Sequence, residues 1–361
     1  MDKKICVYAI CKNEEKFVDR WYESVKDADG IFVLDTGSTD NTVKKLQDHN
    51  VVVKSEIIKP WRFDAARNRS LEIIPDDFDI CVCLDLDEVL EKNWKENILK
   101  AWTSETDQLR YIYNWFIDED NIPRITFYAD KIHRRHGFKW INPVHEVLKY
   151  EKKVNQVYTD NVIINHFPDH NKSRSNYLPL LELAIKEDPF NDRNMHYLGR
   201  EYMYYQRWNE AIDTLIAHLN LKTATWKDER CASMRFISRC YKALNRFDEA
   251  KMWLEKACKE APYLKDPWAE SAIFYYQLKD YDKTIKNIKK ALDIGENPKT
   301  YINEIFSSNE CLYDLLSLAY FHKGDLENAI ISAQKGLNIN PKNERLRHNL
   351  NIFLDNKKVE E

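Results

Sequence analysis

Residues 79–88 read DICVCLDLDE, and this stretch decides the fold of the first half of the chain. Its apolar run at 80–84 is short and has no polar face, which predicts a strand buried on both faces, as in a parallel sheet covered by helices. Two carboxylates, Asp85 and Asp87, follow the run with one residue between them. Because strand side chains alternate with period two, we expect both carboxylates on the same side of the strand end.

Outward from this stretch, toward the N-terminus, apolar runs alternate with helical patterns. The predicted strands are 5–10, 31–34 and 51–53, and the clearest helices are 14–25 and 64–73. This alternation predicts an α/β domain with a Rossmann-like, mostly parallel sheet. Four longer strand-like segments then extend the sheet, some of them antiparallel, at 109–117, 124–128, 138–148 and 157–167.

Polar side chains follow three of the predicted strands. They are Cys11, Asn13 and Glu14 after the first strand, Asp35 after the second, and Asp85, Asp87 and Glu88 after the fourth. Ligands of such sheets bind at the carboxyl ends of the strands, so we expect a site at this edge. A divalent cation bound to a diphosphate needs only one or two protein carboxylates, because phosphate and water oxygens complete its coordination. The alternative is a solvated strand end.

The second half of the chain reads as helices in a loose repeat. Its aromatic or apolar anchors are Trp208, Phe247, Tyr281 and Leu326, spaced by 39, 34 and 45 residues. Helix-turn-helix units near 34 residues are typical of tetratricopeptide repeats, and the wider gaps predict insertions near 223–228 and 299–308. We therefore predict two domains, residues 1–170 with the α/β fold and residues 171–361 as an all-α helical repeat.

Four motifs in the first ~90 residues together resemble family 2 glycosyltransferases of the GT-A fold. They are CKNE at 11–14, LDTGSTD at 34–40, FDAARN at 63–68 and CLDLDE at 83–88. The resemblance implies an inverting transferase that uses a nucleotide-diphospho-sugar with Mg²⁺ or Mn²⁺. It implies that Asp35 contacts the base, that Arg67 and Asp85 help to hold the donor, and that Asp87 ligates the metal. The remaining residues predicted to bind the donor are Cys11, Asn13, Glu14, Asp64 and Trp140.

Residues 140–146, WINPVHE, resemble a segment found in repeat-bearing bacterial and phage members, which include peptide S-glycosyltransferases. An inverting displacement needs a general base for the acceptor proton, and Glu146 is our candidate. Glu146 could instead bind donor hydroxyls or pair with Arg134 or Arg135.

Two histidines compete for a role at the metal or the diphosphate. His166 ends an apolar run and is the candidate ligand, since imidazole suits Mn²⁺ better than Mg²⁺. His145 is the rival, and a satisfied core histidine is the plain alternative. Asp64 and Arg67, three apart on one helix, could be a surface ion pair. His170, Lys172 and Arg174 form either a basic closing loop or a solvated linker.

The totals restrict the partners. The chain has 55 Lys and Arg against 59 Asp and Glu, a net charge of −4, so it has no bulk basic field for nucleic acid. It has no apolar run long enough for a membrane span and no signal peptide at its start, which predicts a cytoplasmic protein. The eight cysteines form no CxxC pair and predict reduced thiols, with disulfides as the alternative.

Taken together, the sequence predicts transfer of a hexose or N-acetylhexosamine from a UDP-sugar. The acceptor is a peptide, a protein or a glycan, and the repeats select it or join two copies in a homodimer. A nucleotidyltransferase is a second hypothesis, but it predicts a glycine-rich phosphate loop, and residues 11–15 contain no glycine. A non-catalytic repeat scaffold is a third, and it predicts loss of the acidic residues.

Overall fold

The computed structural model describes residues 3–169 and 176–360. The chain divides into two compact units, the first ending at Glu187 and the second beginning at Asp188. Helix α5, Tyr177–Glu187, therefore belongs to the first unit. The predicted boundary at residue 170 lies outside the described residues.

The first unit begins with a parallel four-stranded sheet in the order β3-β2-β1-β4. Its strands are β1 Ile5–Cys11, β2 Gly30–Asp35, β3 Val52–Ser55 and β4 Ile80–Cys83, and its helices are α1 Glu15–Val25, α2 Thr42–Asp48 and α3 Phe63–Glu72. All seven residues of β1 are buried, with Ile5 and Val7 in one apolar cluster and Cys6 and Tyr8 in another. A strand that packs on both faces requires a continuous apolar run, as the sequence predicted.

The later strands extend this sheet. The elements are β5 Glu88–Leu90, α4 Trp94–Ala101, β6 Gln108–Ile117, β7 Pro123–Arg134, β8 Phe138–Ile141, β9 Val147–Tyr150 and β10 Gln156–His166. The full order is β3-β2-β1-β4-β7-β6-β10-β5, in which β7 pairs antiparallel with β4 and β6, and β10 pairs parallel with β6. The predicted partly antiparallel extension is confirmed.

The prediction of one strand over 138–148 was wrong. Strands β8 and β9 form a separate antiparallel hairpin, and residues 142–146 lie between them. Asn142 and His145 have φ angles of 79° and 49°, in the left-handed region, so an extended strand cannot continue through them. The turn carries Glu146 out of the strand, where it can reach another element.

The second unit is a helical repeat. Its helices are α6 Asp192–Tyr204, α7 Trp208–Asn220, α8 Lys227–Ala243, α9 Phe247–Glu260, α10 Lys265–Gln277, α11 Tyr281–Asp293, α12 Asn309–His322, α13 Leu326–Ile339 and α14 Glu344–Glu360. The residue two before each predicted anchor has a positive φ; these residues are Gln206, Asn245, Lys279 and Gly324. Each marks the turn inside one helix pair, so the predicted repeat of about four units is confirmed. In the described part of the chain, no helix has the length and apolarity that crossing a membrane requires.

Candidate active site

The loops after β1 and β2 are hydrogen-bonded to each other. Asn13 has a left-handed backbone, with φ of 55°. Its backbone N–H donates to Ser38 Oγ at 2.9 Å, and its Oδ1 accepts the Thr39 N–H at 2.7 Å. Asn13 therefore lies at the predicted edge and holds the turn after β2 in place.

Asp35 ends β2 with its side chain buried. Its Oδ1 accepts the Ser38 N–H at 3.0 Å, and its Oδ2 accepts the Gly37 N–H at 3.3 Å. The Cys11 thiol lies 3.8 Å from Asp35 Oδ1. Gly37 has φ of 108°, a conformation that side chains rarely adopt. Asp35 thus organises the turn, and its contact with a base stays a prediction.

Two further residues predicted to bind the donor, Glu14 and Asp64, have hydrogen-bond partners of their own in the first unit. The Glu14 N–H donates to Thr42 Oγ1 at 2.7 Å. Asp64 accepts two hydrogen bonds from Arg62, at 2.9 and 2.8 Å. The alternative of an ion pair between Asp64 and Arg67 is not realised, because Asp64 lies in the first turn of α3 and pairs with Arg62 just before the helix. Negative charge is favoured at that helix end.

Arg67 is the centre of the site and is only 4 % exposed. Its two terminal nitrogens donate to Asp85 Oδ1 and Oδ2 at 2.5 and 2.9 Å, and its Nε donates to Glu146 Oε1 at 3.0 Å. Burial alone would lower the pKa of Arg67, but the two carboxylates outweigh it and raise the pKa well above its ordinary value. One guanidinium therefore joins α3, the end of β4 and the β8–β9 turn.

Lys131 is a member of the site that the sequence did not indicate. Its Nζ lies 3.2 Å from Asp85 Oδ2 and 3.1 Å from Glu88 Oε1, and the Tyr113 hydroxyl donates to Glu88 at 2.7 Å. Burial opposes the charge of Asp85, but Arg67 and Lys131 hold its pKa well below its usual range. Burial raises the pKa of Glu88, although Lys131 opposes this. No local pattern marks Lys131, because the pairing of β4 with β7 brings it here.

The two carboxylates after β4 do not share one side of a strand. Residues 84–87 leave the strand, and the Glu88 N–H closes a turn on the Asp85 carbonyl at 2.9 Å. Side chains in a turn do not alternate with period two, so the two carboxylates are free to face different partners. Asp85 contacts Arg67 and Lys131, whereas Asp87 faces His166.

His166 and Asp87 bring two potential metal ligands together. His166 Nε2 lies 3.6 Å from Asp87 Oδ2, and His166 Nδ1 lies 3.1 Å from the Trp115 carbonyl. A carbonyl only accepts, so Nδ1 carries the proton and the Nε2 lone pair of the neutral ring points toward a carboxylate. Burial lowers the pKa of His166, but Asp87 outweighs it and raises the pKa.

Two facing acceptor atoms need a proton or a cation between them. Metal–ligand bonds of about 2.1 Å place neighbouring ligand atoms roughly 3–4 Å apart, so the separation of His166 and Asp87 fits a divalent cation. Among residues 3–169 and 176–360, no group of three or more His, Cys, Asp or Glu side chains could hold a metal ion. Any cation here would therefore need oxygens from a ligand as well, as the diphosphate hypothesis requires.

Trp140 is buried below Arg67, at 2 % exposure. The Arg67 guanidinium lies over its ring at 5.5 Å. The indole N–H donates to the Tyr8 hydroxyl at 3.0 Å, and that hydroxyl lies 2.9 Å from His133 Nε2. Trp140 therefore acts on the site through its contact with the Arg67 guanidinium and its hydrogen bond to Tyr8. Burial lowers the pKa of His133 to about 4, so the ring stays neutral.

The segment that carries Glu146 is tied to α3. The Phe63 N–H donates to the Pro143 carbonyl at 3.0 Å, and Asn68 exchanges two hydrogen bonds with the backbone of Trp140, at 2.8 and 2.9 Å. The partner of Glu146 is Arg67, not Arg134 or Arg135 as one alternative held. His145 stacks edge-on against Tyr177, with ring centroids 5.7 Å apart. The predicted basic loop at His170, Lys172 and Arg174 lies outside the described residues.

The site therefore combines residues from the loop after β1, the ends of β2, β4 and β10, strand β7, helix α3 and the turn between β8 and β9. Residues 6–168, which contain it, match the sequence profile of glycosyl transferase family 2. Residues 6–168 are a family 2 glycosyl transferase domain. This glycosyl transferase domain is followed by two segments, 236–263 and 312–343, that match a tetratricopeptide repeat profile. No curated protein matches the chain.

Several solved structures are similar to part of this chain. One of a MamA protein is 20 % identical, covers 45 % of this chain and 81 % of its own, and has a TM-score of 0.36. Yeast Tom70 is 15 % identical, with coverage of 53 % and 37 % and a TM-score of 0.41. A tetratricopeptide protein of Thermus thermophilus, TTC0263, is 20 % identical, with coverage of 50 % and 90 % and a TM-score of 0.35.

Proposed function

We propose that this glycosyl transferase domain is an inverting, metal-dependent enzyme. It transfers a hexose or an N-acetylhexosamine from a UDP-sugar to a peptide, protein or glycan. The observation that carries the proposal is the pair His166 and Asp87, two ligand atoms at 3.6 Å beside the Arg67–Asp85 pair. A nucleoside diphosphate with its cation supplies the positive charge and the missing oxygens that this arrangement needs.

Four groups of the domain are assigned to the donor. Asp35 is assigned to contact the base, and Asn13 holds the turn that follows Asp35. Arg67 and Asp85 form one rigid ion pair that can orient the sugar or the diphosphate. Because Arg67 is nearly fully buried, its geometry is set before the donor arrives, which lowers the cost of ordering on binding. The Trp140 ring packs against the Arg67 guanidinium.

Asp87 and His166 are assigned to Mn²⁺ or Mg²⁺. A bound divalent cation would offset negative charge on the departing diphosphate. His166 would hold its position through Nδ1 and Trp115, an arrangement common for metal-ligating histidines. The imidazole donor favours Mn²⁺ over Mg²⁺.

Glu146 is assigned as the general base. Arg67 contacts its Oε1, and within residues 3–169 no further hydrogen bond to this carboxylate is found, so Oε2 is the oxygen that can take the acceptor proton. The hydrogen bond from Arg67 orients the carboxylate. The rival role, binding of donor hydroxyls, predicts a loss of donor affinity on substitution rather than a loss of rate.

The helical repeats are assigned to acceptor recognition. Stacked repeats present extended surfaces that suit protein or peptide partners better than small glycans. A homodimer through the repeats and a cytoplasmic location stay predictions. The eight cysteines are free thiols, and seven of them are buried.

Calorimetric titration tests the donor site. The protein is titrated with UDP-glucose, UDP-N-acetylglucosamine and GDP-mannose, each with Mn²⁺ and with EDTA, and the series is repeated on Asp87→Ala. We expect one uridine donor to bind only with metal and the variant to lose that binding. Asp48→Ala is the matched control, because Asp48 is exposed at the C-terminal end of α2, away from the strand ends. If no donor binds under any condition, the hypothesis of a non-catalytic scaffold replaces the hypothesis of an enzyme.

A further inference from the structure

The connection between α11 and α12 is much longer than the other links between repeats. It spans residues 294–308 and includes one short 3₁₀ turn, Ile305–Ser307. Instead of forming an exposed loop, residues 300–307 lie against the first helices of three repeats, α6, α8 and α10. We call residues 300–307 the inserted segment. Ile302 and Ser307 in it are buried.

The aromatic side chain of the inserted segment is Tyr301. Its ring stacks on Tyr197 of α6 with centroids 5.9 Å apart, and the Arg193 guanidinium lies 5.0 Å from the ring centroid. The Tyr301 hydroxyl donates to the carboxylate of Glu229 on α8. His218 faces the other oxygen of Glu229 at 3.4 Å.

The acidic side chain of the inserted segment is Glu304. Its Oε1 lies 3.0 Å from a terminal nitrogen of Arg235 and 2.6 Å from one of Arg239, both on α8. The Glu304 N–H donates to Asp266 of α10 at 2.8 Å, and Arg235 donates to the Ile302 carbonyl at 3.2 Å. Side-chain and main-chain contacts thus both hold the segment.

The charges under Glu304 balance without it. Arg235 and Arg239 carry two positive charges, and Asp266 and Glu270 carry two negative charges close to them. Arg235 lies 3.3 Å from Glu270 and 3.8 Å from Asp266, and Arg239 lies 2.5 Å from Glu270. When Glu304 leaves, each guanidinium therefore still has a carboxylate beside it. Removing one ionic partner is strongly destabilising when it leaves a buried charge uncompensated, and that is not the case here.

We infer that this face of α6, α8 and α10 is a peptide-binding surface that the inserted segment occupies. The partner it fits is an extended peptide with a tyrosine and a carboxylate three residues later, because Tyr301 and Glu304 have that spacing. The segment competes with such a peptide from within the chain, at an effective concentration on the order of millimolar. The inference rests on the repeat unit alone and does not depend on the sugar-transfer chemistry.

A synthetic peptide with the sequence of residues 297–308 tests the surface. Its binding is measured by fluorescence anisotropy on the full chain and on the double variant Tyr301→Ala, Glu304→Ala. We expect the double variant to bind the peptide at least ~10-fold more tightly than the wild type, because the internal competitor is weakened. A peptide with Gln at the position of Glu304 should bind at least ~10-fold more weakly, since it loses a charge-assisted contact.

Glu296→Ala is the matched control, because it removes an exposed carboxylate from the same connection and should leave peptide binding unchanged. Equal binding of the two peptides to the double variant, or no binding by a double variant with wild-type circular dichroism and unfolding temperature, would overturn the inference. Hydrogen exchange on the wild type covers the case in which the variant does not fold. The Glu304 and Ser307 amides should exchange faster than those of α8 and α10, and exchange only through global unfolding contradicts the inference.

Discussion

Arg67 and Asp85 form a bidentate ion pair that closes between a helix and the end of a strand. The two N–O distances are 2.5 and 2.9 Å, and the Nε of the same guanidinium contacts Glu146. Planar, two-point contacts of this kind fix orientation as well as charge. The pair therefore sets the geometry of the whole site.

Replacing Arg67 with Ala should strongly destabilise the protein, by about 3–5 kcal/mol, because Glu146 loses its buried partner and Asp85 keeps only Lys131. Arg67→Lys keeps the charge but loses the two-point contact, so we expect a smaller loss. Urea unfolding followed by circular dichroism measures both. Arg69→Ala, a partly exposed arginine on the same helix, should leave the midpoint almost unchanged. An unfolding midpoint of Arg67→Ala equal to the wild type would contradict the assigned role.

Replacing Glu146 with Gln separates the two roles proposed for it. A general base contributes about 10²–10⁴-fold to the rate, so kcat should fall by that factor with little change in the donor KM. If Glu146 instead binds donor hydroxyls, the donor KM should rise. Steady-state kinetics with the donor identified by calorimetry decide between them. Glu151→Gln, an exposed glutamate after β9, is the control and should retain full activity.

Metal binding should depend on both Asp87 and His166. Substituting Asp87→Asn or His166→Gln should weaken Mn²⁺ binding at least ~10-fold in the presence of UDP, because each removes one protein ligand of a site that has few. Electron paramagnetic resonance of free Mn²⁺ measures the affinity directly. His49→Gln is a matched control, since His49, just after α2, also faces a carboxylate, that of Asp19 on α1, at 3.0 Å. Equal loss in the control would refute the assignment.

Stability should fall when the pH drops below about 6.5. Burial lowers the pKa of His133 to about 4 and that of His196 to about 3, so between these values and 6.5 the unfolded chain binds more protons than the folded chain. The contribution of these two histidines to the free energy of unfolding is therefore fully present above about pH 6.5. Below that pH, each histidine lowers the free energy of unfolding by up to about 1.4 kcal/mol per pH unit. Urea unfolding at pH 7.5, 6.0 and 5.0 measures the slope.

His133→Gln tests the source of that slope. Glutamine can still accept the Tyr8 hydrogen bond, but it cannot titrate, so the dependence of stability on pH should become shallower in this variant. An unchanged slope would show that His133 does not carry the effect. His136→Gln replaces an exposed histidine just after β7 and is the control for the substitution itself.

Local patterns in the sequence were sufficient for the fold class of each half of the chain. Apolar runs without a polar face predicted the parallel strands, and the spacing of Trp208, Phe247, Tyr281 and Leu326 predicted the helix pairs. Strand ends were also predictable, and with them the edge at which Asp35, Asp85 and Asp87 lie. These features depend on residues that are close together in the sequence, so they can be read directly from the sequence pattern.

Contacts between distant parts of the chain were decided only by the tertiary structure. Glu146 reaches Arg67 because the backbone turns at Asn142 and His145, and Lys131 reaches Asp85 through the pairing of β4 with β7. Asp85 and Asp87 face different partners, and not the same side as predicted, because β4 ends in a turn. The inserted segment lies against the repeats because the Tyr301 ring, the Glu304 carboxylate and the Glu304 N–H meet partners on three separate helices. Such pairings depend on register and packing over dozens of residues, which no local pattern encodes.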